Sequence, residues 1–373
     1  MLKILFSFSL LALSAALSLC ARKIPGFAQA FSAHVYAVSE RLFGLLWGRF
    51  PFSISEIGLY ALIGLILFWL VHFFRRPSIL LSRLLLTASC LLFLFTVNCG
   101  INYYRTPFSA EAGFVIEPSS PQKLYELCDF LTAQINQCVA ELKQMPAGEG
   151  PMLPCGQTEA SPSLSFHTLR TLGKTGQSSM DHLGNQYPQL SGPYPYPKPM
   201  ISSFWLSIQQ LCDIYSPFTI EANYNRCMPY YNIPHTICHE LSHLKGYMRE
   251  DEANFIGYLA CISSDSAYFR YSGYLTGWVY AGNALAQADM EGYEALYKKL
   301  APEAAADLHY NNTFWSQYDG AAAEAASQIN DTYLKAHSQS DGIQSYGRMV
   351  DLMLAYYGET SAPPQPERSG SRK

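Results

Sequence analysis

His239-Glu240-Leu241-Ser242-His243-Leu244-Lys245-Gly246-Tyr247-Met248-Arg249, followed at once by Glu250-Asp251-Glu252-Ala253-Asn254, is the stretch that decides how this chain reads. It contains His-Glu-x-x-His. Residues four apart on a helix share one face, about one turn apart, so two imidazoles at that spacing can reach a single metal ion. Glu240 then stands beside the ion, where a general base is needed to take a proton from a water. The pattern predicts a Zn2+ site with His239 and His243 as ligands and Glu240 as the catalytic group. The flanks agree. Asn232-Ile233-Pro234 offers a cap and an early proline for a helix, Gly246 offers a stop, and Ile237, Cys238, Leu241 and Leu244 supply a buried side.

The third ligand must come from further along. After Gly246 the spacing copies the metzincin form His-Glu-x-x-His-x-x-Gly-x-x-His, but Arg249 stands where the last histidine belongs, and arginine cannot ligate. Glu250, Asp251 and Glu252 open the first turn of a second helix over 250 to about 264, as the helix dipole favours. Glu250 shares its face with the small residues Ala253, Asn254, Gly257 and Cys261, which allow one helix to approach another closely. Asn254 lies one turn on and can hold a ligating histidine from behind. Glu252 shares its face with the bulkier Phe255, Ile256 and Leu259. Helical phase therefore favours Glu250, with Glu252 as the alternative and Asp251 behind both. Among the other histidines, His235 reads as a helix-start residue, and His167 and His182 lie in an irregular stretch. His309, His337, Tyr247, Tyr271 and Tyr274 are candidates for stabilising an oxyanion. With 26 tyrosines in the chain, no one of them is singled out.

Working outward, the 373 residues are apolar for their length, with 49% hydrophobic and 14% charged residues. That balance points to a membrane contribution. A net charge of -4 gives no sign of a nucleic-acid partner. Three apolar runs crowd the first hundred residues: Ile4 to Ala21, Ile57 to Phe74, and a third centred on Leu84 to Val97 within a span of about 80–99. Each approaches the ~20 residues a spanning helix needs. The first run also fits a signal peptide, although Leu19 occupies a place before Cys20 where a lipoprotein cleavage site wants a small residue. The tight Arg75, Arg76, Arg83 cluster is expected on the cytoplasmic side, which sends everything after residue 100 outside the membrane. Between the first two spans, Ala30 to Gly48 fits a helix lying on the membrane surface or an ordinary packed helix.

In the second part of the chain, Pro121 to Leu142 has helical periodicity and 146–200 reads as a long irregular connection rich in Pro, Gly and Ser. Gly192 to Pro199 reads as a stiff extended stretch near its end. Gly173-Lys174-Thr175 lacks the earlier glycine of a phosphate loop. Phe218 to Asn225 alternates as a strand does, Ala267 to Tyr357 reads as mostly helical, and 359–373 as a disordered tail. The ten cysteines form no CxxC pair, which disfavours a cysteine-ligated zinc ribbon, and no Gly-x-Ser-x-Gly occurs to suggest a serine nucleophile.

Taken together, the three spans, Gly100-Ile-Asn-Tyr-Tyr-Arg105, Phe218-Thr-Ile-Glu-Ala-Asn223 and His239-Glu-Leu-Ser-His243 through Glu250-Asp-Glu-Ala-Asn-Phe255 resemble a bacterial membrane-protein family known only as domain of unknown function 3810. The resemblance covers roughly residues 1–357 and implies a three-span protein with a zincin-like domain. Glu250-x-x-Ala253-Asn254 is also similar to the segment of gluzincin peptidases that carries the glutamate ligand. That likeness implies that Phe218–Asn225 pairs with an extended substrate at a sheet edge.

The expected fold class is α+β: an N-terminal bundle of three transmembrane helices (residues 1–100), then a mostly helical zincin-like domain with a small sheet (101–358). The expected function is a membrane-anchored zinc metallopeptidase acting on a peptide or protein. A non-catalytic zinc-stabilised sensor and a hydrolase of cell-envelope amide bonds are the alternatives. The expected partners are the lipid bilayer and that substrate.

Overall fold

A computed structural model describes residues 2–116, 120–145, 155–159, 164–336 and 348–359. The chain begins with α1 (Leu2–Lys23) and α2 (Phe27–Phe31), which runs through a π turn at Ser32–Tyr36 into α3 (Ala37–Trp47). Next come α4 (Ile54–Phe73) and α5 (Pro77–Phe95), the latter continued by a π turn and a 3-10 turn to Tyr104. Three helical stretches, Leu2–Lys23, Ile54–Phe73 and Pro77–Tyr104, are long and apolar enough to cross a membrane. The expected spans fall on them. Helix α5 packs along α1 and touches α4.

The remainder is α6 (Phe108–Ala112), α7 (Pro121–Gln144), α8 (Phe166–Gln186), β1 (Lys198–Pro199), α9 (Ser203–Ile208), β2 (Asp213–Ser216) and β3 (Glu221–Tyr224). It continues with α10 (Asn232–Leu244), α11 (Glu250–Ile262), α12 (Ala267–Ala288), α13 (Met290–Tyr297), α14 (Pro302–Ser316), α15 (Ala321–Ala336) and α16 (Arg348–Glu359). The architecture is thus mostly helical with one small sheet. Helix α10 is its centre: Ile233 through Leu244 are all buried, against α11, α12, α8 and β3. None of the ten cysteines is in a disulfide, and Cys238 is fully buried as a packing residue.

Four expectations change. The stretch 146–200 is not irregular throughout, because α8 occupies Phe166–Gln186. Its buried face combines Leu169, Leu172, Met180 and Leu183 with Gly173, Gly176 and Gly184. These glycines look like helix breakers in sequence, but here they allow close approach. A Cβ on Gly176 would lie 2.4 Å from Ile237 Cγ2, so α8 can press against α10 only without one. The strand within Phe218–Asn225 is shorter, Glu221–Tyr224, and it is not an edge. The sheet order is β1-β3-β2, with β1 parallel and β2 antiparallel to β3. β2 covers one side of β3 throughout, but β1 pairs only with Asn223 and Tyr224, so among the described residues Glu221 and Ala222 keep a side without a strand partner. Asn232 does not cap α10: Tyr231 holds that position without a side-chain bond, and Asn232 Nδ2 donates to Asn311 Oδ1 at 2.8 Å. His337 and residues 360–373 of the expected tail lie outside the described residues.

The two parts of the chain are joined by buried polar contacts. Glu56, near the start of α4, accepts hydrogen bonds from the Ile201 and Ser202 backbone amides at 2.8 Å each. In the opposite direction, Glu221 of β3 accepts from the Ile54 and Ser55 amides at the start of α4, at 3.2 and 2.7 Å. Amides in the first turn of a helix have no intrahelical acceptor, so this carboxylate satisfies them and complements the dipole.

Candidate metal centre

Helix α10 presents His239 and His243 on one face, with ring centroids 4.8 Å apart and planes at 87°. Ligand-type atoms of His239, Glu240 and His243 lie within 4.8 Å of one another. Helix α11 begins with Glu250, whose Oε2 is 3.4 Å from His239 Nε2 and whose Oε1 is 3.9 Å from His243 Nε2. Ligands on arms of ~2.1 Å around a tetrahedral ion stand ~3.4 Å apart. The two helices meet this closely at Gly257, where a Cβ would lie 3.0 Å from the His239 backbone nitrogen. The small face of α11 therefore turns toward α10, and Glu250 is carried along with it.

Both rings are held from behind. His239 Nδ1 is 3.0 Å from Asn254 Oδ1, and His243 Nδ1 is 2.7 Å from the Tyr247 carbonyl. A carbonyl oxygen can only accept, so each Nδ1 carries the hydrogen. Each Nε2 therefore faces the Glu250 carboxylate: in the metal-free state His239 Nε2 donates to it, and loss of that proton would leave a lone pair placed to ligate a cation. The C-terminal end of α10 is fixed as well. Tyr36 donates to the His243 carbonyl at 3.2 Å, Arg105 donates to the Lys245 carbonyl at 2.7 Å, and the Lys245 ammonium pairs with Glu40 at 3.3 Å.

Burial and the crowding of carboxylates shift the charges of this centre. Burial, Asp213 and Glu250 together raise the Glu240 carboxyl well above its ordinary range, and a hydrogen bond from the Asn223 backbone opposes them only in part. Burial and Glu250 raise Asp213 to about 6, against the pull of His239. Burial alone would lower His239, but Asp213 and Glu250 outweigh it and push it up to about 9. Burial and the neighbouring His239 bring His243 down to about 4. For Glu250, burial opposes ionisation, yet the hydrogen bond from His239 and the charges of both histidines prevail and lower it. Glu240 Oε2 and Asn254 Nδ2 are buried with no hydrogen-bond partner. Three carboxylates around two imidazoles, with an orphaned carboxylate oxygen among them, fit a divalent ion of the zinc class bound by nitrogen and oxygen.

The other candidates are placed elsewhere. Glu252 accepts from the Ser109 amide and hydroxyl at 2.9 and 2.7 Å, away from the imidazole nitrogens. Asp251 accepts from Arg348 at 2.8 Å. Tyr271 donates to Asp307 at 2.6 Å, Tyr247 donates to Glu111 with its ring under Arg105, and His309 is exposed on α14. None of these three, nor Tyr274, lines the cavity of about 340 Å3 onto which His239 and Glu250 open. That cavity is walled instead by Asp213, Tyr231, His235, Thr236, Tyr280 and Trp315. His235 is buried, holds the Asn254 carbonyl at 3.0 Å, and forms part of the wall one turn before His239. Asp213 is the main residue that sequence reasoning missed. Its only signal was the short alternation Asp213-Ile-Tyr-Ser216 before Pro217, which here forms the hairpin partner of β3.

The comparisons with known proteins bear on the family alone. Residues 31–354 match the family model described as "Protein of unknown function (DUF3810)", and the chain belongs to that family. No curated protein and no solved structure matches the chain.

Proposed function

We propose that this family member is a membrane-anchored, zinc-dependent metallopeptidase with its hydrolytic centre outside the cytoplasmic membrane. His239, His243 and Glu250 are the ligands, and Glu240 is the general base. The observation that carries this reading is the buried Glu240 carboxylate, one residue from a ligand, with its Oε2 unpartnered and a carboxylate oxygen within 4.8 Å of a ring nitrogen of each histidine. A purely structural site has no use for such an acid, and structural zinc sites favour cysteine.

A bound zinc ion would supply Lewis acidity, lowering the pKa of water and polarising the scissile carbonyl. The residues do the rest. Asn254 and the Tyr247 carbonyl keep both Nε2 lone pairs pointed at the site. Glu240, buried beside both imidazoles with an unpartnered oxygen, is the group that would accept the proton of the attacking water and later deliver it to the leaving amine. Burial of the centre excludes bulk water and strengthens each of these interactions.

The test is a pair of measurements on protein purified in lipid nanodiscs: zinc content and cleavage of a peptide library. The wild type is expected to hold one zinc per chain and to cleave, and Glu240→Gln to keep the zinc and lose the cleavage. Unchanged cleavage by the variant sinks the proposal. Zinc bound with no cleavage of any peptide or cell-envelope amide favours the sensor reading instead.

A further inference from the structure

Helix α9 is buried on one side and bare on the other. Ser203, Leu206 and Ser207 face inward, fixed by bonds from the Arg226 amide to Ser203 Oγ and from Asn225 Nδ2 to Ser207 Oγ, both at 3.0 Å. On the outer side, Ile201, Phe204 and Trp205 are 62%, 58% and 62% exposed. Rings this large are seldom left in water. The Tyr318 ring stands 6.4 Å from that of Phe204.

Their position along a membrane span indicates what covers them. Glu56 binds the Ile201 and Ser202 amides, and the Tyr60 hydroxyl bonds Ser202 Oγ. Both acceptor and hydroxyl belong to α4, whose first residue is Ile54. At 1.5 Å per residue these contacts lie level with roughly the first 3–9 Å of the span. The same side carries a second apolar surface. Lys198, just before the patch, donates to the Trp47 carbonyl at the end of α3 at 3.0 Å. Helix α3 exposes Val35, Val38, Leu42, Leu45 and Leu46 near or along its length while burying Tyr36 and Glu40. Arg41 and Arg49 are exposed beside this stripe, where they can reach lipid headgroups.

We propose that Ile201, Phe204 and Trp205 insert into the bilayer around α4, at the boundary between headgroups and acyl chains, and dock the second part of the chain on the lipid surface. The occupant is lipid, because the patch is continuous with a membrane span and its large aromatic residues suit that boundary. One consequence concerns access. Five residues after Trp205, Gln210 begins the segment that walls the metal-side cavity, and its Nε2 donates to Asp319 Oδ1 at 2.8 Å beside Tyr318. A docked α9 sets that cavity close to the lipid surface.

The experiment reads Trp205 fluorescence in the full chain, in nanodiscs of phosphatidylcholine brominated near the headgroup end of its acyl chains. The Trp205 signal is the wild-type spectrum minus that of Trp205→Phe, a change at an exposed aromatic position that spares the buried face of α9. The expected result is loss of this difference signal in brominated relative to unbrominated lipid, with a matching loss of iodide quenching relative to free tryptophan. A difference signal unchanged by brominated lipid overturns the proposal. Neither result depends on whether the protein binds zinc or hydrolyses anything.

Discussion

At the scale of single residues, the proposed function gives Glu240 and Glu250 different roles, and substitution separates them. Removing a general base while leaving the ligands intact costs about 10²–10⁴-fold in rate, so Glu240→Gln should lower kcat by that factor with zinc content unchanged, as read by steady-state cleavage and metal analysis. The sign of the pH dependence follows from His239. Its metal-free pKa, about 9, lies above the unperturbed value. Protonation of His239 therefore stabilises the metal-free fold below about pH 6.5, and this contribution is lost as pH rises through 9. Zinc must displace that proton, so zinc affinity should rise across the same window. Calorimetric titration in buffers of different ionisation enthalpy should show proton release near neutral pH, and an affinity that falls with rising pH would contradict the charge assignment. The juxtaposition of His239, His243 and Glu250 was legible in sequence because i,i+4 spacing and helical phase are local facts. Asp213 was not, because only the β2–β3 hairpin brings it to the site.

At the scale of elements, the α10–α11 crossing is what assembles the centre. Gly257 lies at a close approach, where a Cβ would sit 3.0 Å from the His239 backbone nitrogen and force the helices apart by a few tenths of an ångström. Gly→Ala within a helix ordinarily stabilises by up to ~1 kcal/mol. Here Gly257→Ala should destabilise by about 1–3 kcal/mol through overpacking, and it should weaken zinc binding because Glu250 moves with α11. Chemical denaturation with a parallel zinc titration checks both. Asn254→Ala removes the group behind His239 and should weaken zinc binding about 10–100-fold, with little loss of fold. The reading of α8 missed for the same physical reason that makes Gly257 important. Small residues are weak signals of periodicity, yet they are where helices pack most closely, so Gly173, Gly176 and Gly184 hid a buried stripe that Leu169, Leu172, Met180 and Leu183 only half display. The β3 strand was visible from its alternation. Its central place in the sheet was not, because β1 is only two residues long and sits at the end of a proline-rich stretch.

At the scale of the whole molecule, the part with the long apolar helices and the part with the candidate metal centre are built into each other. The three long apolar helices were evident from composition, since a run of apolar residues has few other uses. The joints were not, because Tyr36 on His243, Glu40 on Lys245 and Glu56 on Ile201 are pairings between residues far apart in sequence. Removing one partner of a buried pair leaves an uncompensated charge and costs about 3–5 kcal/mol. Glu40→Ala should accordingly lower the thermal midpoint of the full chain, and Glu40→Asp should recover part of the loss, as followed by scanning calorimetry in nanodiscs. The central claim is that α11 supplies the third ligand to a zinc centre on α10. It is tested most directly by zinc stoichiometry, measured by mass spectrometry on the wild type, Glu250→Ala and Glu252→Ala, each purified at neutral pH. The account predicts one zinc per chain in the wild type and in Glu252→Ala, and near none in Glu250→Ala. Zinc retained by Glu250→Ala, or absent from the wild type, would contradict it.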